Sequence, residues 1–361
     1  MVMPRMMQNV VILIVFILWT LLLVSVDIPL AWRRIKSRYG FLKAKYRCQQ
    51  GVTELHPEYY THVVPKNSHR KDNVFPCFKG VFNDTLIVVT YNSPYYENIE
   101  VINKLYNKVF GKVVHCGGEA TKADKYSPDI VTDVCGGHCG YVCMARAMEK
   151  YRGYKGYLYV NDDMVVNWWR LLDFDRKKVW QGPEIINFEQ GAYEEIKNKE
   201  WMWWEYPVGL AACRESYQAL SLAAKEDESL NRALDIYIKN GKGKPRCGKG
   251  WSDFFYVPGH LADTCRKLLD TYEKHKLFLE ISVINVLHSL DFAENFEVVK
   301  GIFLPDLWLV DPANGREFWG VYNTSITFIH PFKYGFQDFA DMNKALVKNW
   351  ILEITNSLTS C

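Results

Sequence analysis

The longest unbroken apolar run lies near the start of the chain. Residues 10–26, VVILIVFILWTLLLVSV, hold no charge and only Thr20 and Ser25 as polar members. With Ile28, Pro29 and Leu30 behind it, the stretch approaches the roughly 20 residues that a bilayer crossing needs, and Trp32 follows where an interfacial aromatic sits. A cleaved signal peptide has a shorter apolar core, about 7–15 residues, and a small-residue cleavage site that is not evident here. The pattern predicts an uncleaved transmembrane anchor over residues 9–31, preceded by a short tail, 1–8. Residues 32–83 are basic, carry Pro57, Pro65 and Pro76, and show no sustained period, as expected of a membrane-proximal stem. From 84 to 361 the pattern becomes that of a folded domain.

That domain opens with DTLIVVTYNSPYY, residues 84–96, an apolar β-branched run ending in a polar turn, which predicts a buried parallel strand. Residues 97–111 place apolar side chains at helical spacing and close on Gly111. Short strands are expected at 112–116 and 129–134, a helix at 140–156, and a strand at Tyr157-Leu158-Tyr159-Val160. Alternation of strand and helix is the signature of an α/β sheet, whose ligands bind at the carboxyl ends of the strands. Two polar turns fall at such ends: Thr90-Tyr91-Asn92 and Asn161-Asp162-Asp163. Further on, one helix is expected over 220–241, a strand over 253–260, two helices within 261–290, and a strand over 324–335 that leaves through His330-Pro331. No internal repeat or low-complexity segment is present.

Composition narrows the function classes. Hydrophobic content of 48% supplies ample core for 361 residues, and a net charge of +3 gives no support to a nucleic-acid partner. Aromatic content is 15%, with a cluster at Trp201-Met202-Trp203-Trp204 beside Glu205; sugar faces stack on such rings, so carbohydrate is the ligand class these residues suggest. The basic residues after the anchor, Arg33 to Arg47, would by the positive-inside rule alone keep the domain cytosolic. Ten cysteines and two N-x-[ST] sequons, at Asn83 and Asn323, point instead to a lumen. Cys135, Cys139 and Cys143 lack the paired C-x2-C pattern of a zinc site, which leaves disulfides or buried thiols; the glycines among them, Gly136, Gly137 and Gly140, offer a weak form of a phosphate-binding loop.

The acidic motif carries the chemistry. Strands avoid Asp, and adjacent carboxylates repel unless a positive group lies nearby, so Asp162-Asp163 at a strand end is either a polar turn or a divalent-cation site. The anchor, the basic stem, an α/β domain opening with LIVVTYN and an acidic motif after a mid-domain strand together resemble glycosyltransferases of the GT-A fold, a Rossmann-like mixed central sheet flanked by helices. The resemblance covers residues 84 to 335 and identifies no particular family within that superfamily. It implies a D-x-D-like motif, here relaxed to Asn161-Asp162-Asp163, that holds manganese or magnesium on the diphosphate of a nucleotide-sugar. Asp163 and Asp162 would be metal ligands, His330 in FIHPFK a late third ligand, and Asn161 a ribose contact. Thr90, Tyr91, Asn92 and Lys333 would face the nucleotide, and Trp203, Trp204 and Glu205 the glycan acceptor.

Loss of the acceptor hydroxyl proton calls for a carboxylate base. Asp253, just after the flexible GKGKPRCGKGWS, and Glu280, in the apolar LFLEIS where a carboxyl pKa rises, are the candidates, with Glu205 beside the tryptophan cluster as a third option. The expected protein is a single-pass, type II membrane glycosyltransferase of the Golgi or ER, with a metal-dependent hydrolase and a catalytically inactive carbohydrate-binding scaffold as alternatives.

Overall fold

The computed structural model describes residues 77–122, 124–182, 185–186, 201–303, 325–332, 334, 343–344 and 347–360. The predicted anchor and most of the stem lie outside these residues, as do Asn323 and Lys333. Among the described residues no helix is long and apolar enough to cross a membrane.

The first half alternates as its pattern predicts: β1 (Phe82–Thr90), α1 (Ile99–Tyr106), β2 (Phe110–Gly117), β3 (Ile130–Val131), α2 (Val142–Lys150), β4 (Gly156–Asn161). Short strands β5 (Val165–Val166), β6 (Trp180–Gln181) and β7 (Ile185–Ile186) follow, then α3 (Leu210–Ala223), α4 (Glu228–Asn240), β8 (Lys249–Gly250) and β9 (Phe254–Pro258). The described chain continues through α5 (Ala262–Lys274), α6 (Leu279–Leu290), β10 (Glu297–Val298), β11 (Ile302–Phe303), β12 (Phe328–His330) and α7 (Leu352–Thr359).

Seven strands form a mixed, mostly parallel sheet in the order β10-β6-β9-β4-β1-β2-β3, consistent with a Rossmann-like fold. The continuous apolar runs are explained by burial on both faces. Leu86 and Val88 of β1, Tyr157 and Tyr159 of β4, and Phe255 and Val257 of β9 pack into one core with residues of α2 to α6. Ile87, Val89, Leu158, Val160, Phe254 and Tyr256 point the opposite way, into a second core with α1 and α7.

Two boundaries differ from the sequence pattern. The helix expected over 220–241 is two helices, because Asp227 caps α4: its carboxylate accepts the N–H groups of Ser229 (2.9 Å) and Leu230 (3.1 Å). The fold also begins before residue 84: Phe82 is buried, and the Phe78 N–H donates to the Leu358 carbonyl at 2.9 Å. Disulfides join Cys116 to Cys143, fastening β2 to α2, and Cys213 to Cys247; Cys77 is disulfide-bonded as well.

Two buried histidines set the acid limit of this fold. Burial holds the imidazoles of His115 and His288 down to about 4. His115 Nε2 faces Asn103 Oδ1 at 3.0 Å and its Nδ1 faces the Tyr91 hydroxyl at 3.0 Å, an arrangement that one neutral tautomer satisfies. The unfolded chain protonates these rings near 6.5, the folded chain only near 4, so stability falls as the pH drops through that window. Each histidine contributes about 1.4 kcal/mol per pH unit. Glu280, whose carboxyl is pushed up to about 7, works the other way over the same window, so denaturant unfolding at pH 5 is expected to give a stability lower than at pH 7.5 by about 1–2 kcal/mol. The same pH difference in a His115→Asn, His288→Phe double variant would show that neither ring stays neutral in the fold.

Candidate functional site

The parallel strands β1, β2 and β4 end together, and antiparallel β9 begins beside them. Thr90 lies opposite Asn161, and Val160 opposite Phe254. The Asn161 N–H donates to the Asp253 carbonyl at 3.2 Å and the Asp162 N–H to the Thr90 carbonyl at 2.9 Å. A second, three-stranded sheet, β11-β12-β5, closes over this edge, with β12 antiparallel to β5. It delivers His330, and the Phe332 N–H reaches back to the Asp163 carbonyl at 2.5 Å.

Three residues distant in sequence therefore meet. His330 Nε2 lies 3.3 Å from Asp163 Oδ1 and 3.6 Å from Asp253 Oδ1, and all three side chains are largely buried. Glu280, at the start of α6, lies within electrostatic reach of Asp253 and His330. Burial pushes its carboxyl up to about 7, with the negative charge of Asp253 adding to the rise, while Lys249 and His330 oppose it.

The departure from Asp at position 161 has a physical reason. Asn161 Nδ2 donates to Asp253 Oδ1 at 2.5 Å. An aspartate there would set two carboxylates against each other; the amide turns repulsion into a hydrogen bond and fixes the Asp253 side chain. Ninety-two positions separate the two residues, so no local pattern signals the pairing.

The donor set suits a hard divalent cation. Two carboxylates and an imidazole are donor types that manganese or magnesium accepts, and His330 Nε2 stands 3.3 and 3.6 Å from the two carboxylate oxygens. Asn161 Oδ1 and Ser252 Oγ, adjacent to Asp253 in the chain, are buried polar atoms without a hydrogen-bond partner among the described residues. Among those residues no three His, Cys, Asp or Glu side chains are arranged so as to hold a metal ion by themselves, so a cation bound here would need oxygens from water or a ligand.

The other predicted residues separate by depth. Thr90 and Tyr91 are fully buried, and the Tyr91 hydroxyl is committed to His115. Asn92 is exposed and rests against Gly137, where a Cβ would come within 2.9 Å of the Asn92 side chain. The close approach accounts for a glycine at 137, where sequence alone suggested a phosphate loop. Asp162 is buried close enough to Tyr91 and Tyr96 to add to the rise of both hydroxyl pKa values. Asn83 is exposed.

Within the tryptophan cluster, Trp204 belongs to the core, at 4% exposure, packed edge-on against Trp201. Trp201 and Trp203 keep partly exposed rings, and Glu205 is exposed. Trp203 stacks on Phe278 with centroids 4.5 Å apart, two residues before Glu280. Lys249, which sequence reasoning passed over inside its glycine-rich stretch, lies with Nζ 4.2 Å from the Trp201 ring centre and within electrostatic reach of Glu280. The aromatic patch and the acidic cluster are thus neighbours.

No protein-family model matches the chain. Among curated proteins it is similar to "Probable glycosyltransferase STELLO2" of Arabidopsis thaliana, 20% identical over 268 residues, covering 74% of this chain and 32% of that protein. "Probable glycosyltransferase STELLO1" of the same plant is 24% identical over 228 residues, 61% of this chain and 26% of the relative. The matched part thus spans about a third and about a quarter of these two relatives' lengths.

Proposed function

We propose that this chain is a glycosyltransferase of GT-A-like fold that uses a divalent cation to transfer a sugar from a nucleotide-sugar to a glycan or glycoconjugate. The observation that carries the reading is the convergence of Asp163, His330, Asp253 and Glu280 at the carboxyl ends of the strands. The names of the two plant relatives support the same reaction class.

The residues divide the work. Asp163 and His330 would hold manganese or magnesium, with Asp162 beside them. When bound, the cation neutralises charge that builds on the departing diphosphate, without a proton donor. Asp253, gripped by Asn161 Nδ2, would supply the second carboxylate of that ligand set. Glu280 accepts the proton of the acceptor hydroxyl at a carboxylate oxygen, a role that a pKa of about 7 serves near neutral pH. The partly exposed rings of Trp201 and Trp203 give an acceptor sugar apolar faces to stack on. Asn92, and Lys333 outside the described residues, would meet the nucleotide.

The disulfides support an oxidising compartment, and so a lumenal domain on an N-terminal anchor of a Golgi or ER membrane, with Asn83 open to glycan attachment. A thermal-shift series with nucleoside diphosphates, with and without manganese, tests the site. One nucleotide is expected to raise the melting temperature by about 4–8 °C at a hundredfold excess over its Kd, and only with the metal. No stabilisation by any nucleotide, or stabilisation indifferent to manganese, would overturn the reading; metal-dependent binding without transfer to any acceptor would favour the inactive scaffold.

A further inference from the structure

Outside the acidic cluster, the turn between β3 and α2 holds two thiols that the fold has placed together. Among the described residues Cys135, Cys139 and Cys265 are outside disulfides, although the same domain oxidises Cys116 to Cys143 and Cys213 to Cys247. Cys135 and Cys139 stand four residues apart on this turn, close enough for their side chains to interact. Backbone bonds close the turn around them: the Cys139 N–H donates to Val134 at 3.0 Å and the His138 N–H to Cys135 at 3.3 Å.

The turn is strained where a sulfur is most accessible. Cys135 has φ +51°, followed by Gly136 at +62° and Gly137 at +99°. A left-handed conformation costs a non-glycine residue about 1–2 kcal/mol, and such cost gathers at working positions. Cys135 is partly exposed and Cys139 is buried. The surroundings set different roles. Lys276 lies close enough to feel both sulfurs, its ammonium pKa raised chiefly by Cys135. The Cys135 thiol also faces Asp133 Oδ2 at 4.0 Å. Burial pushes the Cys139 thiol up, so it stays protonated until a partner arrives.

We propose that Cys135 and Cys139 form a redox-active dithiol, with Cys135 as the attacking sulfur and Cys139 as the resolving one. The oxidant is a small-molecule disulfide of the glutathione class. The Cys135 thiolate attacks one of its sulfurs, forms a mixed disulfide and releases one small thiolate. Cys139 then attacks the Cys135 sulfur, its proton passing to solvent, and the second small thiolate leaves. Two protein thiols and one disulfide become one protein disulfide and two small thiols. The turn is coupled to the candidate site on both sides: Gly137 braces Asn92, and the His138 ring lies 4.7 Å from Trp203 and 5.4 Å from Phe278. The proposal does not depend on glycosyl transfer.

The test is a redox titration of the intact protein in buffers of reduced and oxidised glutathione, quenched with acid, unfolded, alkylated and weighed. Cys135 and Cys139 are expected to lose alkylation together, by about tenfold across the titration, with a loss of two hydrogens and no added glutathione. Cys265, buried on α5, is the internal control and stays alkylatable. Cys139→Ser should instead leave glutathione attached to Cys135. The proposal is overturned if the wild-type pair stays alkylatable throughout. It is equally overturned if wild type also stops at glutathionylated Cys135, or if a chelator-removable zinc ion is what shields the two sulfurs.

Discussion

Replacing Asp163 with Asn is expected to leave the fold standing and to lower sugar transfer by about two to four orders of magnitude. The backbone carbonyl at 163 holds the Phe332 N–H, and the substitution does not touch it. The side chain touches His330 Nε2 at 3.3 Å, so an amide of the same shape keeps the packing while removing one hard anionic donor. Metal stabilisation of a departing diphosphate is worth several kcal/mol, and each 1.36 kcal/mol is a factor of ten in rate. His330→Ala should act in the same direction more mildly, because water can replace a neutral ligand. The measurement pairs a transfer assay with nucleoside diphosphate binding, with and without manganese. Binding that is metal-independent in wild type and unchanged in the variant would reduce the Asn161-Asp162-Asp163 motif to a turn.

The architecture was legible because burial on both sheet faces leaves a strong trace. β1, β4 and β9 read as apolar runs, and the polar residues that interrupt them fall at the edge where ligands bind. The division of residues 220–241 into two helices was missed because Asp227 sits in a sequence of good helix formers, and only its capping bonds stop the helix. In the site, Asp163 and His330 could be matched from motif order, and the apolar neighbourhood of Glu280 forecast its raised pKa. The Asn161–Asp253 bond could not be foreseen, since it depends on the register of β4 against β9. Nor could sequence distinguish Trp204, packed in the core, from Trp203, which remains partly open at the edge of the same core: only packing decides which of two adjacent residues on a tight turn is covered.

Glu280 and Asp253 were equal candidates for the base, and the geometry divides them. Asp253 is held by Asn161 Nδ2 and faces His330, so its Oδ1 is occupied with the metal side of the cluster. Glu280 lies within electrostatic reach of Lys249, two residues past the Phe278 ring on which Trp203 stacks, on the side where an acceptor would enter. Glu280→Gln keeps the shape and removes the proton acceptor. Transfer is expected to fall by about 10²–10⁴, the usual contribution of general-base catalysis, while metal-dependent nucleotide binding stays at the wild-type level. Asp253→Asn should give the opposite division: nucleotide and manganese affinity weaken together, because the second carboxylate of the ligand set has changed. The two variants are separated by measuring nucleotide affinity and turnover on the same preparations. If Glu280→Gln turned over normally and Asp253→Asn were inactive with nucleotide affinity intact, the base would be Asp253, and the raised pKa of Glu280 would be a consequence of burial alone.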